Sequence, residues 1–168
     1  MTGARIVRAG TEADLPALTR IYNHFVEHSV ATFDVEPFSV DARRDWFAHH
    51  GATGPHRLLV AEVDGQAAGY ATSGPFRLKP AYSRTVETSI YLDPPVTGRG
   101  TGQLLYTELL DTVTAAGMHR AYAGVALPND ASEALHRRCG FRAVGTFTEV
   151  GWKQERWVDV RWYERSLA

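Results

Sequence analysis

Val96-Thr97-Gly98-Arg99-Gly100-Thr101-Gly102 is the stretch on which the fold reading turns. Ahead of it runs a strand-like segment, Glu87-Thr88-Ser89-Ile90-Tyr91-Leu92, stopped by Asp93-Pro94-Pro95. Behind it, Leu104, Leu105, Leu109, Leu110 and Val113 recur at the three- and four-residue spacing of an amphipathic helix. Three glycines between strand and helix let successive backbone N–H groups turn inward around an anion, with the helix N-terminus behind them. The stretch reads as a cradle for a pyrophosphate. It is not a P-loop, which needs Gly-Lys-Ser/Thr where this chain offers Thr101-Gly102-Gln103. Nor is it the Rossmann fingerprint, because Gln103 holds the third glycine's place and the loop lies past the middle of the chain.

Outward from the loop, turn and cap signals divide the rest. Residues 5–8 form a short strand, and Thr11-Glu12-Ala13-Asp14 opens a helix with Leu15, Leu18, Tyr22 and Phe25 on one face. Ser39 caps a second helix carrying Val40, Arg43, Trp46 and Phe47 and ending near Gly51. Strands 58–63 and 66–73 flank the hairpin turn Asp64-Gly65, and a further strand covers 85–92. The helix over 102–116 stops at Gly117, a strand follows over 121–127, and a short helix over 131–139 stops at Gly140. Two strands close the chain, near 141–147 and 155–164. The order is β-α-α-β-β-β-α-β-α-β-β. A hairpin meander followed by a βαβ unit implies a mixed α/β fold, a mostly antiparallel twisted sheet of about seven strands flanked by four helices. In such sheets ligands bind where neighbouring strands diverge, and the loop after residue 92 sits at such a place.

The 168 residues are most simply one domain, 1–168. A net charge of −1 provides no broad basic field for nucleic acid or an anionic membrane, so a polyanionic ligand has to be held by local groups. The single cysteine, Cys139, excludes an internal disulfide and fits a reducing compartment. No segment reads as a signal peptide or a membrane span, and a cytoplasmic protein is expected. No histidine pair has metal-ligand spacing, and no metal is expected.

The element order, with the glycine loop after the fourth strand, resembles the GCN5-related N-acetyltransferase superfamily. Within it, the chain resembles the phosphinothricin and methionine sulfoximine acetyltransferase group over nearly its whole length. The matching stretches include Tyr22-Asn23-His24, Thr32-Phe33, Gly74-Pro75-Phe76-Arg77, Thr85 to Tyr91, Leu127 to Ser132, Leu135-His136 and Gly140-Phe141. The most group-specific are Val150-Gly151-Trp152-Lys153 and Trp157-Val158-Asp159-Val160. The resemblance implies acetyl-coenzyme A as co-substrate. Its pyrophosphate would rest on Gly98, Arg99, Gly100, Thr101, Gly102 and Gln103, and its pantetheine arm would pair with Ile90, Tyr91 and Leu92. Asn129 would bond that arm, with Ser132 and Tyr106 as further contacts. Two departures stand out. Thr97 replaces the Gln or Arg that usually begins the loop, and Glu155 stands where the group's tail usually has Gly.

Acetyl transfer to an amine needs the nitrogen neutral, a proton acceptor, and a donor for the developing oxyanion. Glu87 is the expected general base, acting through a water; read without the resemblance it is a surface strand carboxylate. A backbone N–H near Leu92 is the expected oxyanion donor. Arg77 and Lys79 occupy positions where the group carries basic residues near the substrate, suited to a carboxylate or phosphinate. Phe33, Tyr82 and Thr88 are candidate pocket walls, with core packing as the alternative. His136 is a candidate second proton carrier, with a structural role as the alternative. The function implied is acetyl-coenzyme A-dependent N-acetylation of a small amino acid analogue by a homodimer. The rival readings are acetylation of a protein N-terminus or other amine, and a non-catalytic acyl-coenzyme A sensor.

Overall fold

The computed structural model describes residues 4–168. Its strands are β1 (Arg5–Ala9), β2 (Leu58–Val63), β3 (Gln66–Pro75), β4 (Thr85–Leu92), β5 (Arg120–Ala126), β6 (Arg142–Lys153) and β7 (Arg156–Ser166). Its α-helices are α1 (Leu15–His28), α2 (Arg44–Ala48), α3 (Thr101–Ala115) and α4 (Asp130–Arg138). The order along the chain is the one the turn and cap signals predict. The strands make one seven-stranded sheet in the order β1-β2-β3-β4-β5-β7-β6. Every neighbouring pair is antiparallel except β4 with β5.

Two helical layers bury the two faces of the sheet. On one, Leu18 and Ile21 of α1 pack on Leu58, Val60 and Tyr70. On the other, Leu105, Leu109, Leu110 and Val113 of α3 pack on Leu59, Ala61, Val86 and Ala121. Each such aliphatic side chain contributes about 1.5–3 kcal/mol by leaving water. β4 alternates between the layers. Val86, Ile90 and Leu92 face α3, whereas Tyr91 packs with Tyr22 and Phe25 of α1. By the same alternation Glu87 and Ser89 share the face of Tyr91.

The punctuation works as its chemistry demands at both helix ends and the first hairpin. Gly117 and Gly140 both take φ 81° just beyond α3 and α4, and Asp64 and Gly65 take φ 50° and 78° in the β2–β3 turn. Two expectations need correction. The second helix does not run to Gly51: Ser39 Oγ accepts from Ala42 N at 3.1 Å, but a 3₁₀ turn over Asp41–Arg43 leads into only five α-helical residues. With Arg43, Trp46 and Phe47 alone to bury, more than that short turn would have no apolar face to seat. The closing strands are also longer than expected. β6 reaches Lys153, because a bulge between Phe147 and Gly151 interrupts the alternation without ending the pairing. Its turn places Gln154 and Glu155 at φ 52° and 57°, which gives the Glu155 departure a conformational meaning. Trp152 and Trp157 are each 57% exposed and pair edge-to-face across that hairpin.

Candidate active site

β4 and β5 run in register only from Thr85 and Arg120 to Glu87 and Tyr122. Beyond that point β4 stays on β3 as far as Leu92, and β5 stays on β7 as far as Ala126. The two parallel strands therefore part, and a cleft of about 360 Å³ fills the gap. Its walls are Ser89, Ile90, Tyr91 and Leu92 on one side and Gly124, Val125 and Ala126 on the other. Asp93 N–H donates to Ala68 O across β3 at 2.8 Å. By the alternation of an unbulged strand, Ile90 and Leu92 then turn their N–H and C=O groups toward the cleft. An extended ligand arm can pair along that edge.

The glycine loop closes one end. Gly98 and Gly100 adopt φ 73° and 81°, and α3 begins at Thr101 with no side chain capping its first N–H groups. Those donors, with the positive end of the helix dipole, make an anion site without any side chain. The surroundings enforce glycine at Gly102, where a Cβ would meet Leu92 Cδ1 at 2.9 Å, whereas a Cβ on Gly98 would meet nothing within 4 Å and its φ of 73° is what calls for glycine. Arg5 of β1 ties the loop down by donating to the Arg99 carbonyl. Thr97, Gly98, Gly100, Gly102 and Gln103 line the cleft, while Arg99 is exposed outside that lining and Thr101 is buried. A diphosphate with a thioester-bearing arm fits this donor set.

At the parting point stands Glu87, half-buried. Burial pushes its carboxyl above the ordinary carboxylate range, and the Arg77 guanidinium pulls part of the way back. A carboxylate so placed can accept a proton from an amine near neutral pH.

α4 forms the floor. Asn129 Oδ1 accepts from Ser132 N at 3.2 Å, so this side chain caps the helix and keeps its amide nitrogen free to donate to a ligand. His136 is 3% exposed and both ring nitrogens are engaged: Nδ1 lies 2.7 Å from the Ser132 carbonyl and Nε2 lies 3.2 Å from Tyr106 Oη. A carbonyl only accepts, so Nδ1 carries the proton and Nε2 accepts from the phenol. Burial holds the ring below its ordinary pKa. Tyr106 is fully buried and its hydroxyl lies 2.7 Å from Thr88 Oγ1, so it supports the floor from beneath instead of contacting the ligand arm. Thr88, His136 and Tyr106 thus form one buried chain linking β4, α4 and α3.

The expected substrate residues fall in two groups on the flanks. Arg77 lies 4.3 Å from the Phe76 ring centre and Tyr82 meets the same ring edge-on at 5.8 Å, with Lys79 exposed alongside. Phe33 lies on the loop after α1, against Gly151, where a Cβ would come within 2.3 Å of the ring. Among the expected substrate residues, Glu87 and Thr88 line the cleft; Phe33, Arg77, Lys79 and Tyr82 do not. Sequence reasoning missed Phe25, Ala31 and Gly124 as cleft walls. An isolated glycine inside a strand, as at Gly124, signals a close approach; Phe25 and Ala31 carry no such signal.

The acetyltransferase (GNAT) family profile matches residues 18–141. A phosphinothricin N-acetyltransferase of Streptomyces coelicolor is 53% identical over 163 residues, covering 96% of this chain and 95% of that one. An L-methionine sulfoximine/L-methionine sulfone acetyltransferase of Salmonella typhimurium is 34% identical, covering 96% and 94%. A solved phosphinothricin acetyltransferase of Sinorhizobium meliloti in complex with acetyl-coenzyme A superimposes with TM-score 0.92 at 34% identity, covering 100% and 90%. A splayed β4–β5 pair, a glycine-rich helix N-terminus and these relatives lead to one conclusion: the chain belongs to the GNAT acetyltransferase family and is an acyltransferase enzyme.

Proposed function

We propose that the enzyme transfers acetyl from acetyl-coenzyme A to the amine of a small amino acid analogue of the phosphinothricin or methionine sulfoximine type. The observation that carries this reading is a half-buried carboxylate, Glu87, with raised pKa, at the point where β4 and β5 part. Bound acetyl-coenzyme A supplies an acetyl group activated as a thioester. The N–H groups of Gly98 to Gly102 hold its diphosphate, and the free edge of Ile90 and Leu92 holds its arm. Glu87 accepts the ammonium proton through a water, freeing the nitrogen lone pair to form the bond to the acetyl carbon; the C–S bond breaks with its electron pair on sulfur, and the nitrogen's second proton passes to the departing thiolate. The Leu92 N–H donates to the carbonyl oxygen as its charge grows. With both nitrogens bonded, His136 positions α4 and its cap. Arg77, within electrostatic reach of Glu87, serves the acceptor's α-carboxylate.

A cytoplasmic setting accords with the free, buried Cys139. A homodimer would cover the apolar surface that Val144, Phe147, Val150 and Trp157 expose on the β6–β7 hairpin; sedimentation equilibrium tests it. The function itself is tested by thiol release from acetyl-coenzyme A across phosphinothricin, methionine sulfoximine, methionine sulfone and a peptide amine. Turnover is expected with the amino acid analogues and is expected to fall about 10²–10⁴-fold in Glu87→Gln. Turnover with the peptide alone overturns the acceptor class, and an unimpaired Glu87→Gln overturns the base.

A further inference from the structure

A second cavity, of about 190 Å³, opens beside the cleft on the α1 and α2 face of the sheet. Ser89 and Tyr91 line both spaces, so the two share a stretch of β4 as a common wall. The remaining walls include Tyr22, Asp34, Arg43 and Trp46. Arg43 is the unexplained member. It is 5% exposed, yet among the described residues no carboxylate lies within ion-pairing distance of it. Its guanidinium stacks 3.8 Å from the Trp46 ring centre and 4.4 Å from that of Tyr22. Its hydrogen bonds, to Leu18 O and Tyr70 Oη, are both long at 3.4 Å. Asp34, on the same cavity wall, accepts from the Tyr22 hydroxyl and makes no ion pair with Arg43.

Buried charges are ordinarily paired, because removal from water is costly and an aromatic cage offsets only part of the loss. A guanidinium has five N–H donors, and two long bonds leave most of them unused. A desolvated cation of this kind on a cavity wall is a receptor for an anion.

We propose that Arg43 receives the distal acid group of the acceptor, and so selects amino acids whose short side chain ends in a phosphinate or carboxylate. This rests on the function proposed above. The acceptor amine stands over the shared wall at Ser89, and the side chain runs along β4 toward Tyr91 and the Arg43 cage. Two strand residues span about 6.7 Å, which a short side chain ending in an acid group matches. Arg77 remains at the other end for the α-carboxylate.

The test is a binding titration followed by intrinsic fluorescence, to which Trp46 against Arg43 is well placed to respond. The probes are phosphinothricin, whose side chain ends in an anion, and methionine sulfone, whose side chain ends neutral. Arg43→Met is expected to weaken phosphinothricin about 30-fold and methionine sulfone less than about threefold. Arg43→Lys, which keeps charge and bulk, is expected to fall between for phosphinothricin. Equal losses for both probes, no loss for either, or a wild type that does not prefer phosphinothricin overturns the proposal. Should Arg43→Met fail to fold, Arg43→Lys decides by the same comparison of probes. Because binding is read directly, selective binding through Arg43 without thiol release would sink the proposed reaction and leave this subsite standing.

Discussion

Removing one buried oxygen from the cleft floor is expected to destabilise the enzyme strongly. Tyr106 is fully buried, and its hydroxyl joins Thr88 Oγ1 at 2.7 Å to His136 Nε2 at 3.2 Å. Tyr106→Phe keeps the ring, which stacks on Phe141 with centroids 5.5 Å apart, so no large cavity opens. Two hydrogen bonds are lost, each worth about 1 kcal/mol. Thr88 Oγ1 retains the Tyr122 carbonyl at 3.3 Å, but no other protein hydrogen bond holds His136 Nε2. An orphaned buried acceptor costs about 1–3 kcal/mol, and the whole change is expected at about 2–4 kcal/mol after partial relaxation. With an m-value of about 2 kcal/mol per molar, the urea midpoint falls by roughly 1–2 M. Urea unfolding followed by far-UV circular dichroism measures it. A loss below about 0.5 kcal/mol would refute the tautomer and the chain of donors inferred here. The same histidine sets a pH dependence. Burial holds its folded pKa below the ordinary imidazole value of about 6.5, so the unfolded chain takes up the proton first. The stability from keeping it neutral is present above about 6.5 and is lost as the pH falls from there through the lower folded value.

Three further outcomes are expected. Gly100→Ala meets only Arg5 Nη1, at 3.5 Å, so its effect comes from forcing an L-residue to φ 81°. A strain of about 1–2 kcal/mol should raise the KM for acetyl-coenzyme A about tenfold with kcat less affected, and an unchanged KM would remove the loop from cofactor binding. Replacing Gln154-Glu155 by Asn-Gly puts residues suited to positive φ at both turn positions, and the thermal midpoint should rise by a few degrees without loss of turnover. An unchanged or lower midpoint contradicts the turn assignment. Arg77→Met removes the cation that lowers the Glu87 pKa, so the acid limb of the kcat–pH profile should move to higher pH; a shift the other way refutes the assignment of Glu87 as base.

Local chemistry made much of this protein legible from its residues alone. Glycines at 98, 100, 117 and 140 mark places where the backbone must take positive φ, and each does. Leucines at 105, 109 and 110 require a helix with one buried stripe, from which Leu104, expected on the same face, is left out at 39% exposed, and alternation along β4 divides Glu87 from Thr88. Such signals act within a few residues, so they survive in one dimension. What depends on distant segments meeting was not legible. That Tyr106 occupies Nε2 of His136 follows only once α3 and α4 pack together, whereas the Ser132 carbonyl at Nδ1 is one turn back in the same helix. The β6 bulge needed β7 to define it, and the length of α2 was set by how little apolar surface it had to bury. Arg43 reads as an ordinary helical cation until Tyr22, Trp46 and Tyr70 close around it and no carboxylate arrives. The sequence by itself determined the order of elements and the place of the anion cradle, because backbone conformation is a local property. Only the tertiary structure decided which charges lose their water and which polar groups find partners, because burial and pairing belong to the assembled fold.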